Sequence, residues 1–174
     1  MGTAKTPLSV KLIMAIFTNQ PQFFPEIEAE LEKEYGKIDF GSPIFDFDYT
    51  DYYSEEMGRG LKKKFISFKN LVKLEQISSI KIFTNALEKR YSRENKRTIN
   101  VDPGYISNAQ LVLASTKNYY HRIYLGQGIY AEVTLFFKGG TFQPLQWTYP
   151  DYKAESSIGI FNKIREIYRE QLAK

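Results

Sequence analysis

Apolar and polar positions change period twice along the chain. Val10 to Phe17 is an unbroken apolar, β-branched run, too short to span a membrane and closed by Asn19-Gln20-Pro21. It predicts a buried strand. Pro25 then opens a helix, with Glu26 and Glu28 at its positive end and Gly36 after its last turn. Ile27, Leu31 and Tyr35 give that helix one narrow core stripe. Ile38 to Tyr49 reads as extended and aromatic, interrupted by Pro43, and Lys63 to Phe68 as a short strand. Leu74, Ile77, Ile80, Phe83, Leu87 and Tyr91 recur at steps of three or four, the helical period.

From Thr98 the period falls to two. Thr98 to Val101, Gln110 to Ser115, His121 to Leu125, Tyr130 to Lys138 and Thr141 to Leu145 read as strands. Gly126-Gln127-Gly128 and Gly139-Gly140 read as hairpin turns between them. Ile160, Phe161, Ile164, Ile167, Tyr168 and Leu172 mark a closing amphipathic helix. The order predicts an α+β fold: a mostly antiparallel sheet with helices on one face, a ferredoxin-like β-α-β-β-α-β start, then a β-meander and a C-terminal helix. No repeat or Pro/Gly linker interrupts it, so residues 1–174 read as a single domain.

Composition narrows the chemistry. The chain has 174 residues, 43% hydrophobic and 25% charged, within the globular range. It has no cysteine, which excludes disulfides, thiol nucleophiles, iron–sulfur clusters and cysteine zinc sites, and which fits the cytoplasm. One histidine, His121, excludes paired-histidine metal motifs. The sequence shows no signal-peptide pattern and predicts no membrane association.

The net charge of +4 hides a polarised distribution. Glu26 to Glu56 holds 11 acidic and 2 basic residues, and Arg59 to Arg97 holds 12 basic and 3 acidic. Such neighbours can form an anion-binding face, but mutual pairing on the surface is the more economical expectation.

Five clusters could carry chemistry. Gly126 to Ala131 fits the letters G-x-G-x-x-A, but a strand follows, so a Rossmann cofactor is not expected. No Walker-type P-loop exists, and no haem or iron–sulfur ligand pattern. Asp46, Asp48 and Asp51 could approach a divalent cation through oxygen ligands, or form the polar face of a strand. Lys62, Lys63 and Lys64 with Phe65 and Phe68 could bind single-stranded nucleic acid, but the glycines of an RNA-recognition strand are missing.

The most suggestive cluster reads Asn100-Val101-Asp102-Pro103-Gly104-Tyr105 as a strand broken by a Pro-Gly turn, followed by Lys117, His121, Arg122 and Glu132. His121 is the natural proton carrier, with Asp102 and Glu132 as the carboxylates of a catalytic group. Arg122 and Lys117 can clamp a phosphate or carboxylate, with Tyr105, Asp51 and Tyr149 as ligand-binding walls. No set of metal-ligating residues is expected among them. The last cluster, Trp147 to Tyr152, is a polar-aromatic loop suited to stacking on a flat ligand, with Asp151 placed to cap a helix.

The segments Thr50 to Gly58, Asn100 to Tyr105, His121 to Leu135 and Trp147 to Tyr152 resemble an uncharacterised prokaryotic family catalogued as a domain of unknown function. The resemblance is most specific from Leu111 to Leu135 and implies one complete cytoplasmic domain of about this length. In that family lysine is common where Gln110 stands and acidic residues where Asn118 stands, so neither position carries an essential charge here. Some members carry a loose GTP-binding label. This chain has neither a P-loop nor an Asn-Lys-x-Asp motif, so the label is not carried over.

Three functions compete: a pocket for a small anionic or phosphorylated ligand, enzymatic or not; a single-stranded nucleic-acid module; and a non-catalytic scaffold. The first ranks ahead. Any cofactor is unspecified, a divalent cation being allowed, and the sequence specifies neither substrate, reaction nor oligomeric state.

Overall fold

A computed structural model describes residues 1–50, 53–94 and 96–173. Strand β1 (Val10–Thr18) is buried throughout. Helix α1 (Phe24–Tyr35) follows, opened by Pro25 and ended at Gly36, whose φ of 87° is left-handed. Next come β2 (Ile38–Gly41), β3 (Phe45–Asp46), a single helical turn α2 (Ser54–Met57), β4 (Lys62–Val72) and α3 (Ile77–Arg90). The second half holds β5 (Ile99–Ile106), β6 (Gln110–Ser115), β7 (Ile123–Gly126), β8 (Ile129–Lys138) and β9 (Thr141–Pro144), then α4 (Pro150–Lys153) and α5 (Glu155–Leu172).

Among the described residues the strands form one nine-stranded sheet in the order β2-β4-β1-β5-β6-β8-β7, with β3 also on β4 and β9 also on β8. Every pairing is antiparallel, so the fold is α+β as expected. β2 and β3 divide the extended Ile38 to Tyr49 segment at Pro43, and the single turn α2 stands before β4 where the element pattern gave no helix.

Alternation along β1 assigns the layers. Val10, Leu12, Met14 and Ile16 point to a core shared with Phe24, Ile27 and Leu31 of α1 and Ile80 and Leu87 of α3. Ile13 and Ala15 point the other way, to Phe161 and Ile164 of α5 and Tyr152 of α4. The helices therefore do not share one face. The long apolar run of β1 carries this signal, because a strand apolar on both sides needs a cover on both.

A second correction decides where the site lies. Asp102-Pro103-Gly104 is no turn: β5 runs straight through it, with Pro103 opposite Met14. β5 and β6 pair only at Gly104↔Leu113, Tyr105↔Val112 and Ile106↔Leu111, and beyond Gly104 the two strands part. The backbone N–H and C=O of Val101 face the side that β6 has left, where Glu88 and Lys81 of α3 bond them at 2.8 and 3.3 Å. Pro103, two residues on, shares that orientation, so its missing N–H removes no ladder bond. Gly104 marks the fork, since a Cβ there would meet the Val112 carbonyl oxygen at 2.4 Å.

The β7–β8 turn has positive φ at Gly126, Gln127 and Gly128, and a strand follows, as a hairpin requires. No helix among the described residues is long and apolar enough to cross a membrane.

Candidate functional site

The fork between β5 and β6 opens into a cavity of about 720 Å³. Its walls come from β5, α3, the end of β6, the side chains of Phe47, Tyr49, Thr50 and Tyr53, and the start of α4. Three charged groups surround it.

The first lies on β5 and α3. Lys81, Asn85 and Glu88 are spaced i, i+4, i+7 and line the cavity beside the apolar stripe of α3. Lys81 Nζ donates to Asp102 Oδ1 at 3.1 Å, and Asn100 Nδ2 donates to Asp102 Oδ2 at 2.7 Å. Arg97 Nη1 donates to Asn100 Oδ1 at 2.7 Å and to Glu88 Oε2 at 3.4 Å. Arg97 also grips Glu56 through both Nε and Nη2, at 2.6 and 2.7 Å. Burial works to raise the Asp102 pKa, but Lys81, Lys63 and two hydrogen bonds outweigh it and hold the carboxyl below its ordinary value. Burial pushes Glu88 up despite Lys81. The Asp102 side chain is 32% exposed, so its carboxylate faces open space.

The second group surrounds Arg122, which stands in the loop before β7. Its Nε donates to Glu132 Oε2 at 2.9 Å, Nη1 to the Lys117 carbonyl at 2.9 Å and Ser115 Oγ at 3.2 Å, and Nη2 to the Tyr149 hydroxyl at 2.7 Å. Burial opposes the Arg122 charge, but Glu132 and Tyr149 outweigh it and raise the pKa. Four of its five donors are thereby fixed. Glu132, 2% exposed, is fixed in turn. His121 Nε2 donates to the same Oε2 at 2.9 Å, and Thr134 Oγ1 donates to Oε1 at 3.2 Å. His121 stacks on Trp147 at 4.7 Å and 10°, and its Nδ1 is buried without a partner.

The third group is Lys63, whose Nζ donates to Asp151 Oδ2 at 2.5 Å inside a box formed by Phe17, Phe47, Phe65 and Tyr152, 4.8 to 5.3 Å from each ring centre. Asp151 turns inward to this lysine and does not cap α4.

Of the residues singled out from sequence, Asp102, Lys117, Arg122, Glu132 and Tyr149 line one cavity. His121 does not line it; it stands behind Glu132. Tyr105 lies apart, packed into the core on the α3 side. Asp51 lies outside the described residues. Asp102 and Glu132 face the same space with separate partners, so the four groups around His121 form no single network. Lys81, Glu88 and Arg97 were not singled out, Asn100 was read only as part of the strand before Asp102, and Lys63 only as part of a nucleic-acid candidate. Lys81 and Glu88, seven apart beside an apolar stripe, carried a legible signal. Lys63 did not, because its partner Asp151 lies 88 residues away.

Four of the twelve basic residues of Arg59 to Arg97 pair with the acidic segment: Lys62 with Asp46, Lys64 with Glu28, Arg90 with Glu30 and Arg97 with Glu56. Among the described residues no acidic or histidine cluster gathers that could hold a metal ion.

Fold and cavity define an α+β domain with a forked antiparallel sheet and a charged cleft. The chain matches the model of a domain of unknown function, DUF4416, over residues 8–168, and it belongs to that family. No curated protein and no solved structure matches it.

Proposed function

We propose that this domain binds a small anionic molecule bearing hydroxyl groups, such as a phosphorylated sugar, in the cavity at the β5–β6 fork. The observation that carries this reading is the Arg122 guanidinium, fixed by Glu132, Ser115, Tyr149 and the Lys117 carbonyl on the wall of a 720 Å³ space. A cation oriented in advance binds an anion with little ordering cost, and the volume lies within the range of small-ligand sites. Lys117 adds positive charge at the same wall. Asp102, held ionised by Lys81 and Asn100, offers acceptor capacity to ligand hydroxyls.

If the site is catalytic, Asp102 is the proton acceptor, Glu132 positions Arg122, and His121 positions Glu132. The pairing of Lys62, Lys63 and Lys64 with carboxylates favours this reading over nucleic acid. The unbroken sheet supports one domain, the spatial order β5-β1-β4-β2 supports a ferredoxin-like first half, and the absence of cysteine supports a cytoplasmic setting.

Calorimetric titration with inorganic phosphate, ribose 5-phosphate and adenosine monophosphate tests the proposal. The sugar phosphates are expected to bind more tightly than phosphate. Lys117→Ala should weaken binding by about tenfold, the scale of one charge-assisted hydrogen bond. No binding of any of the three, or binding untouched by Lys117→Ala and Asp102→Asn, overturns it.

A further inference from the structure

We infer that the Tyr152 hydroxyl is a ligand contact in the cavity, donating a hydrogen bond to an uncharged oxygen of the molecule whose anionic end sits at Arg122. This rests on the anion-binding reading above and adds the other end of the ligand. Tyr152 is 3% exposed and lines the cavity. Its hydroxyl is buried and has no hydrogen-bond partner among the described residues. Buried phenols normally find one, because an unmade hydrogen bond in a protein interior opposes folding. Among the described residues His121 Nδ1 is the other such side-chain atom, but His121 does not line the cavity.

Packing fixes where the phenol points. Its ring stacks on Phe161 at 5.4 Å and 14°, meets Phe65 edge-on at 5.3 Å, and carries Lys63 Nζ 4.8 Å from its centre. The hydroxyl stands among charged cavity residues. Burial first, then Asp151, Asp102, Tyr149 and Glu132, pushes its pKa well above that of a free phenol, so at neutral pH it keeps its proton and donates. Those four residues all line the cavity, and each already has another partner: Lys63 for Asp151, Lys81 for Asp102, and Arg122 for both Tyr149 and Glu132.

Two features select the acceptor. Three of the four neighbours are carboxylates, so a second anionic group beside the hydroxyl would be repelled, whereas a neutral carbonyl or hydroxyl oxygen would not. Tyr149 also spans the interval to the anion site. Its hydroxyl receives Arg122 Nη2 at 2.7 Å, and its ring centre lies 6.4 Å from that of Tyr152. One small molecule can therefore touch both, with its charge at Arg122 and a neutral oxygen at Tyr152. The class is a monophosphate on a short polyhydroxy or carbonyl chain, in preference to free phosphate or a polyphosphate.

Tyr152→Phe, which removes one oxygen, tests this by calorimetry with ribose 5-phosphate and with inorganic phosphate. The variant is expected to bind ribose 5-phosphate about tenfold more weakly, the scale of one hydrogen bond, and inorganic phosphate as the wild type does. Its melting temperature should stay the same or rise, since a hydroxyl kept for a ligand contributes nothing to the free fold. Ribose 5-phosphate binding that survives Tyr152→Phe overturns the inference and leaves the Arg122 site standing. A lower melting temperature would reveal a partner within the protein and overturns it as well. No binding of either compound by the wild type overturns both readings.

Discussion

Glu132 shows how a buried charge can serve another residue. It is 2% exposed, and one of its oxygens receives both Arg122 and His121. Removing one partner of a buried ion pair leaves the other uncompensated, which costs about 3–5 kcal/mol. Glu132→Ala is therefore expected to lower stability by that much in urea unfolding, and Glu132→Gln, which keeps an acceptor, by less. A loss under 1 kcal/mol would mean that Arg122 finds another partner. Titration gives a second residue-scale expectation. Glu56, through the Arg97 hydrogen bonds, and Asp102, through Lys81, have pKa values below those of the unfolded chain. Their contribution is present above the unfolded carboxylate value of about 4 and is lost as pH falls through their lower folded values. Glu88, raised by burial, acts with the opposite sign. The urea midpoint should fall from pH 5 to pH 3. Glu56→Gln should flatten that fall and Glu88→Gln should steepen it.

At the level of elements, the fork rests on Gly104. Its φ is ordinary, so the requirement is space: a Cβ would press on the Val112 carbonyl and on Leu113. Gly104→Ala is expected to cost about 1–3 kcal/mol, as overpacking does, and to weaken ligand binding by shifting the adjacent Asp102. Unchanged stability would show that the strands yield freely there. This element also shows where sequence reading reached its limit. The strands of the second half, α3, α5 and the hairpin glycines were legible, because each is written in local period or local turn chemistry. Pro103-Gly104 was not. A Pro-Gly pair signals a turn unless the neighbouring strand has already departed, and that departure depends on Lys81 and Glu88 reaching across from another element. Likewise Asp102 and Arg122 were readable as site residues, whereas Lys63, buried against Asp151, looked like one more lysine in a basic run.

For the whole molecule, four side-chain pairs that cross between elements offset part of the opposed charge of Glu26 to Glu56 and Arg59 to Arg97, and two of the three lysines at the start of β4 are among them. Fluorescence anisotropy with a labelled oligothymidine is expected to show binding weaker than about 10 μM at physiological salt, abolished as salt rises. Sub-micromolar binding lost in the triple Lys62, Lys63, Lys64→Ala variant would reinstate a nucleic-acid role.

The three rungs between β5 and β6 have a mechanical consequence. They join two plates, β2-β4-β1-β5 and β6-β8-β7, and each face carries a clamp across the joint. On one face the α5 core residues touch both Ile106 and Leu111; on the other, Ile77 of α3 reaches Ala114 and Ile129. Beyond the rungs the plates can part without breaking a backbone ladder, because Lys81 and Glu88 already hold the exposed β5 edge. The opening of the cleft is thus set by the two clamps that pack across the joint, and it can be retuned without rewriting the sheet.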